Sequence, residues 1–232
     1  LSQLDRHFLQ NTTSDAINGF DRMQQRAFEV VRSGATRAAF ELDRESPSLR
    51  DRYGRHKFGQ SLLLARRLIE SGTRLVQVNW PREPGDTTIG NPVWDTHSKN
   101  SERCRDVLCP QFDGAFATLM DDLRERGLLA ETLVVVLGEF GRSPKINPDG
   151  GRDHWGHCFS VALAGTGVAG GRVIGASDSI GGYPAHRPVR PPELTATIFH
   201  LLGIDPAAEF IDPLGRPRMV TSGAVAMPEF TG

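Results

Sequence analysis

The sequence predicts an α/β fold: a mostly parallel sheet flanked by helices. Three observations carry this. A helical run from His56 to Ser71 is stopped by Gly72 and followed by a strand-like run, Arg74–Trp80. Helix, glycine and buried strand in succession form the repeating unit of an α/β sheet. Thr132–Leu137 is continuously apolar and rich in β-branched residues, as a central parallel strand is. Phe159–Ala164 reads as the next strand, and Pro191-Pro192 opens a further helix that Gly203 ends.

The 232 residues suit one large domain, with 1–50 a helical lead-in and 204–232 a covering flap with a loose terminus. In the lead-in, Ile17, Phe20, Gln24, Ala27, Phe28 and Val31 follow helical spacing. Asp15 is placed to cap that helix and Gly34 to end it, with a short helix, Arg37–Asp43, following. In His56–Ser71, Phe58, Leu62, Ala65 and Ile69 make an apolar stripe. Asn100–Gly127 is the longest helix, with Phe112, Phe116, Leu119 and Leu123 facing a core and Asp121 and Asp122 on a solvated face. Arg172–Ile174 reads as a short edge strand.

A net charge of -1 from 27 basic and 28 acidic residues argues against a nucleic-acid surface or a polybasic membrane patch. No apolar run approaches the ~20 residues of a membrane span. Cys104, Cys109 and Cys158 form no disulfide framework, and free thiols are expected, with one bridge left open.

Chemistry-bearing residues gather in two loops. Trp94-Asp95-Thr96-His97 lies in the loop after Arg74–Trp80. In extended backbone, residues two apart share a side, so Asp95 and His97 can reach one ion while Thr96 points away. The second loop, after Thr132–Leu137, carries Glu139, Arg142, Arg152, Asp153, His154 and His157. Carboxylate with imidazole suits zinc, manganese or iron, and an oxygen-rich subset suits magnesium or calcium. The expected metal ligands are Asp95, His97, Glu139, Asp153 and His154; His157 joins them only if its segment is helical. Arg142 and Arg152 are placed to bind an anion, as guanidinium does with phosphate or sulfate oxygens. The alternative is an ion-pair network among Arg142, Arg152, Glu139 and Asp153 with a purely structural role.

The run G-E-F-G-R-S-P-K-I-N-P-D-G-G-R-D-H-W, with W-D-T-H, F-S-V-A-L-A-G-T-G-V-A-G-G-R-V-I-G-A-S-D and P-P-E-L-T-A-T-I-F-H-L-L-G-I-D, closely resembles the sulfatase-like family called domain of unknown function 1501. The resemblance implies the alkaline-phosphatase and sulfatase superfamily, with metal ions at the C-terminal ends of parallel strands. Glu139 then stands where the superfamily usually has Asp-His, His154 looks like the later metal histidine, and Asp95 and His97 like the pair for the other metal. The superfamily's nucleophile is not identifiable here: Ser46-Pro47-Ser48-Leu49-Arg50 has its proline one place early for the sulfatase pattern. The chain therefore reads as the C-terminal part of a longer protein, its sheet lacking an N-terminal strand or two, exported to the periplasm or beyond. The implied function is a metal-dependent hydrolase of sulfate or phosphate esters. The alternative is a non-catalytic member of the fold that binds an anionic small molecule or glycan.

Overall fold

The computed structural model describes residues 33–82 and 93–231, together with the helical positions Gln24, Gln25 and Phe28. Two units divide the chain, Leu1–Asn79 and Trp80–Gly232. The expected helix from Ile17 to Val31, with its Asp15 cap, lies largely outside the described residues.

In the first unit, α1 (Gly34–Ala39) starts where Ser33 Oγ accepts the Thr36 N–H at 3.0 Å. Gly34 thus begins a helix rather than ending one, because the serine before it supplies the acceptor that a free helix start lacks. α2 (Pro47–Tyr53) begins with proline in its first turn and Ser46 as cap. α3 (Lys57–Glu70) is capped by the His56 imidazole, whose Nδ1 accepts the Gly59 N–H at 3.2 Å. Tyr53 and Leu63 are fully buried, with Phe58, Leu62 and Ala65 beside them. Arg66, 1 % exposed, pairs with Glu45 at 2.8 Å and Glu70 at 2.7 Å, so its buried charge is compensated on two sides. Arg67 donates to the carbonyls of Ala38 (2.6 Å) and Ala39 (2.8 Å), tying α3 to the end of α1.

The second unit is built on a helix of three parts: α4 (Asn100–Arg103), a π-turn over Cys104–Leu108, and α5 (Cys109–Glu125). Leu108, Ala115, Leu119 and Leu123 are its buried apolar positions. Asp122 departs from the expected solvated face. It is buried, and Arg126 one turn on reaches it at 2.6 Å. Then follow β1 (Leu133–Val136), β2 (Gly141–Arg142), β3 (His154–Trp155), β4 (Ala162–Gly165), β5 (Ala176–Ser177) and β6 (Pro184–His186). α6 (Pro191–Leu201), β7 (Glu209–Ile211), β8 (Pro217–Met219) and α7 (Pro228–Thr231) complete the chain.

The mostly parallel sheet is not found. The described strands form four antiparallel pairs, β1–β4, β2–β3, β5–β6 and β7–β8, none extended beyond two strands. Parallel pairing needs a crossover, usually a helix. Between β1 and β4 the chain instead forms a loop around the β2–β3 pair, so β4 returns against β1 with Val135 opposite Leu163. Arg74–Trp80 enters no ladder and leaves Leu75 84 % exposed; Arg172–Ile174 is likewise no strand. The C-terminal segment is anchored. Met227, 1 % exposed, donates its N–H to Thr197 Oγ1 on α6, and Ala169 donates to the Phe230 carbonyl. Among the described residues, no helix is long and apolar enough to cross a membrane.

Gly59 gives a sharp test of the first unit. A Cβ there would lie 1.9 Å from the Tyr53 carbonyl oxygen and 2.7 Å from that of Gly54. Helix propensity alone makes Gly→Ala favourable by about 1 kcal/mol. Gly59→Ala is expected instead to destabilise by about 1–3 kcal/mol, because rigid backbone must move. Denaturant unfolding of the two proteins measures the sign.

Candidate metal centre

Backbone pairing between two loops assembles this site. Ser98 and Gly150 form an isolated antiparallel bridge. Around it, Arg152 N–H donates to the Thr96 carbonyl (3.0 Å), Lys99 N–H to Asp149 (3.0 Å) and Asn100 N–H to Gly150 (2.9 Å). Asn147 acts as a hub. Its Nδ2 donates to the His97 carbonyl (2.9 Å) and to Asp153 Oδ1 (3.2 Å), while its Oδ1 accepts from the Asp149 and Gly151 N–H groups. Approach is close at Gly151, where a Cβ would lie 2.0 Å from the His97 carbonyl carbon.

β2 and β3 bring the second set of side chains. Arg142 stands opposite His154 in their register, so the two share a face. Phe140 packs its ring against His154, centroids 4.3 Å apart. The Asp95 loop is held from behind by Trp94, edge-on to Trp80 (5.5 Å) and Phe112 (6.3 Å). Thr96 turns away from Asp95 and His97 and is 1 % exposed, with its hydroxyl accepting from Asn100 Nδ2.

Asp95, His97 and His154 converge, and their potential ligand atoms all lie within 4.8 Å of one another. Asp95 Oδ1 is 2.8 Å from His154 Nε2 and 3.0 Å from His97 Nε2, and the two Nε2 atoms are 3.1 Å apart. Three ligands on one face of a tetrahedron with bonds of ~2.0–2.1 Å stand about 3.3 Å apart. The observed triangle is close to that face. Its side chains are 40–50 % exposed, so the fourth direction opens to solvent. Two imidazole nitrogens and one carboxylate oxygen suit zinc, manganese or iron better than magnesium or calcium, which take mainly oxygen.

Two features prepare these donors. His97 Nδ1 lies 2.9 Å from Asp153 Oδ1, and a carboxylate can only accept, so Nδ1 donates there; in the neutral ring this leaves the lone pair on Nε2, toward the triangle. The His154 hydrogen bond, then Arg142 and the nearby His97, outweigh burial and lower the Asp95 carboxyl to about 2. Asp95 is therefore anionic at neutral pH. The His97 and Asn147 hydrogen bonds likewise lower Asp153.

The remaining expected residues are placed differently. Asp153 backs His97 and is not in the triangle. Glu139 is exposed and has no hydrogen bond or ion pair to any described residue. Arg142 Nη1 is 2.7 Å from Asp95 Oδ1 and buried, yet its angle makes no hydrogen bond. Arg152 is committed to its own loop, donating to the Ser143 (2.7 Å) and Pro144 (2.9 Å) carbonyls. His157 packs with Trp155 and Tyr183, both at 4.9 Å, away from the triangle. The sequence reading missed Asn147 and Phe140. The turn-rich N-P-D-G-G run was the available signal for Asn147.

The chain matches the family model described as "Protein of unknown function (DUF1501)" over residues 1–230. It belongs to that family. No curated protein and no solved structure matches it.

In this family member, Asp153→Asn tests how His97 is held. Nitrogen NMR is expected to find wild-type His97 protonated at Nδ1 and the variant with that preference lost. An unchanged imidazole spectrum would remove Asp153 from the role.

Proposed function

We propose that the chain binds one divalent transition-metal ion through Asp95 Oδ1, His97 Nε2 and His154 Nε2 and hydrolyses phosphate or sulfate esters there. The observation that carries this reading is the triangle of donor atoms with sides of 2.8–3.1 Å and an open fourth direction. Three protein ligands with a vacant position are the usual form of a catalytic zinc site. The likeness of the central motif to sulfatase-like proteins supports the choice of ester.

A divalent ion held at this triangle would supply Lewis acidity, polarising an ester oxygen and acidifying water. The protein's own part is to place and balance charge. Asp95 stays ionised and offsets part of the ion's charge. Asp153 fixes the His97 ring, and Phe140 limits the swing of His154. Arg142 sets its positive charge beside Asp95, where it would attract an anionic oxygen. Glu139, standing outside the triangle, favours a second reading in which the site binds an anionic glycan without turning it over.

Purified protein loaded with zinc or manganese is expected to retain about one ion per chain by elemental analysis. His97→Ala and His154→Ala should each lose it. Hydrolysis of an aryl phosphate or aryl sulfate should fall by at least about 100-fold in either variant. Arg142→Met should keep the ion and raise KM for the anionic substrate. Retention of metal by both histidine variants would overturn the site. Anion-dependent binding without turnover would leave the glycan-binding reading.

A further inference from the structure

The π-turn in the long helix has a chemical consequence. In a regular α-helix, residues five apart are separated by about 140° around the axis, so Cys104 and Cys109 would lie on different faces. Here the Cys109 N–H donates to the Cys104 carbonyl across the extra residue of a π-turn. One turn of the π-helix thus brings Cys109 back over Cys104, and the neighbouring Cys109 helps to raise the Cys104 thiol. Cys109 is exposed and Cys104 half-buried, while Cys158 lies in the loop after β3. π-Turns inside α-helices recur at functional sites.

We propose that Cys104 and Cys109 form an oxidisable dithiol that closes to a disulfide in the folded protein by exchange with a low-molecular-weight disulfide. The exposed Cys109 reacts first. Its thiolate attacks one sulfur of the external disulfide, breaking that S–S bond and releasing one thiolate, which takes up the proton lost from Cys109. The Cys104 thiolate then attacks Cys109 Sγ, forms the internal bond and expels the second external thiolate, protonated in turn. The protein loses two hydrogens, and one external disulfide becomes two thiols. Burial first, then the adjacent Cys109, push the Cys104 thiol up, while Arg142 and Arg152 oppose them, so Cys104 serves as the resolving thiol rather than the first to attack.

The bridge also reaches toward the Asp95 loop. Asn100 Nδ2 touches Cys104 Sγ at 3.8 Å and donates to Thr96 Oγ1, and Thr96 lies between Asp95 and His97. Closing an S–S bond to about 2.05 Å draws Cys104 Sγ toward Cys109 and away from that contact. This second step concerns the side chains of the proposed metal centre, but its readout needs no metal.

The test uses native, metal-free protein incubated with oxidised glutathione, then alkylated and mapped by mass spectrometry without reduction. The expected product is a Cys104–Cys109 bridge lighter by two hydrogens, with Cys158 alkylated, formed faster in folded than in urea-unfolded protein. Cys104→Ser should instead trap glutathione on Cys109, and the wild-type bridge should reopen with dithiothreitol. A lasting glutathione adduct on wild-type Cys109, a bridge to Cys158, no reaction, or no rate advantage of the folded state would each overturn the proposal. In the bridged protein the His97 imidazole NMR signals are expected to shift; unchanged signals would refute the reach to the Asp95 loop.

Discussion

Everything at the candidate centre depends on a backbone clasp between two loops some fifty residues apart. The Ser98–Gly150 bridge and the bonds flanking it fix where Thr96, and with it Asp95 and His97, meet the segment that ends in His154. The ordering of two long loops costs entropy that grows only slowly with their length, so a handful of well-placed bonds suffices to hold them. Gly150, at φ +70°, and Gly151, pressed on the His97 carbonyl, permit the approach. Asn147 completes it by serving both loops at once.

Given that clasp, electrostatics explains the arrangement of the side chains. Asp95 Oδ1 meets His154, His97 and Arg142 within 2.7–3.0 Å. His97 cannot give Asp95 a proton from Nε2 while its only proton is held by Asp153 at Nδ1. Two lone pairs then face each other, and His154 Nε2 lies within hydrogen-bond reach of both. In the proposed metal-bound form an ion would sit between them, with His154 as a third donor. Asp153 and Arg142 are both close but do different work, one aiming an imidazole and the other holding positive charge beside an open direction.

Much of the local structure was legible in the sequence, and the sheet was not. Lys57–Glu70, the helix from Asn100 and Pro191–Leu201 follow from apolar spacing with glycine and proline punctuation. The apolar runs at β1 and β4 were also readable, but their direction was not, since periodicity does not say how two strands pair. Asp95 and His97 could be paired from alternation alone. Their meeting with His154 depends on the clasp, which is made by main-chain groups that every residue carries. Glu139 looked like a ligand because it follows a strand, yet the chain turns at Gly138 and leaves it in solvent. Arg152 looked like an anion ligand because nothing in its sequence marks the Ser143 and Pro144 carbonyls as its partners.

In the proposed centre two imidazoles and one carboxylate hold a single ion. X-ray absorption at the zinc edge of protein loaded with one equivalent tests it directly. The expected spectrum has a shell of nitrogen and oxygen at ~2.0–2.1 Å with outer scattering from two imidazole rings, reduced to one ring in His154→Ala. A shell containing sulfur at about 2.3 Å, or one without imidazole scattering, would contradict it.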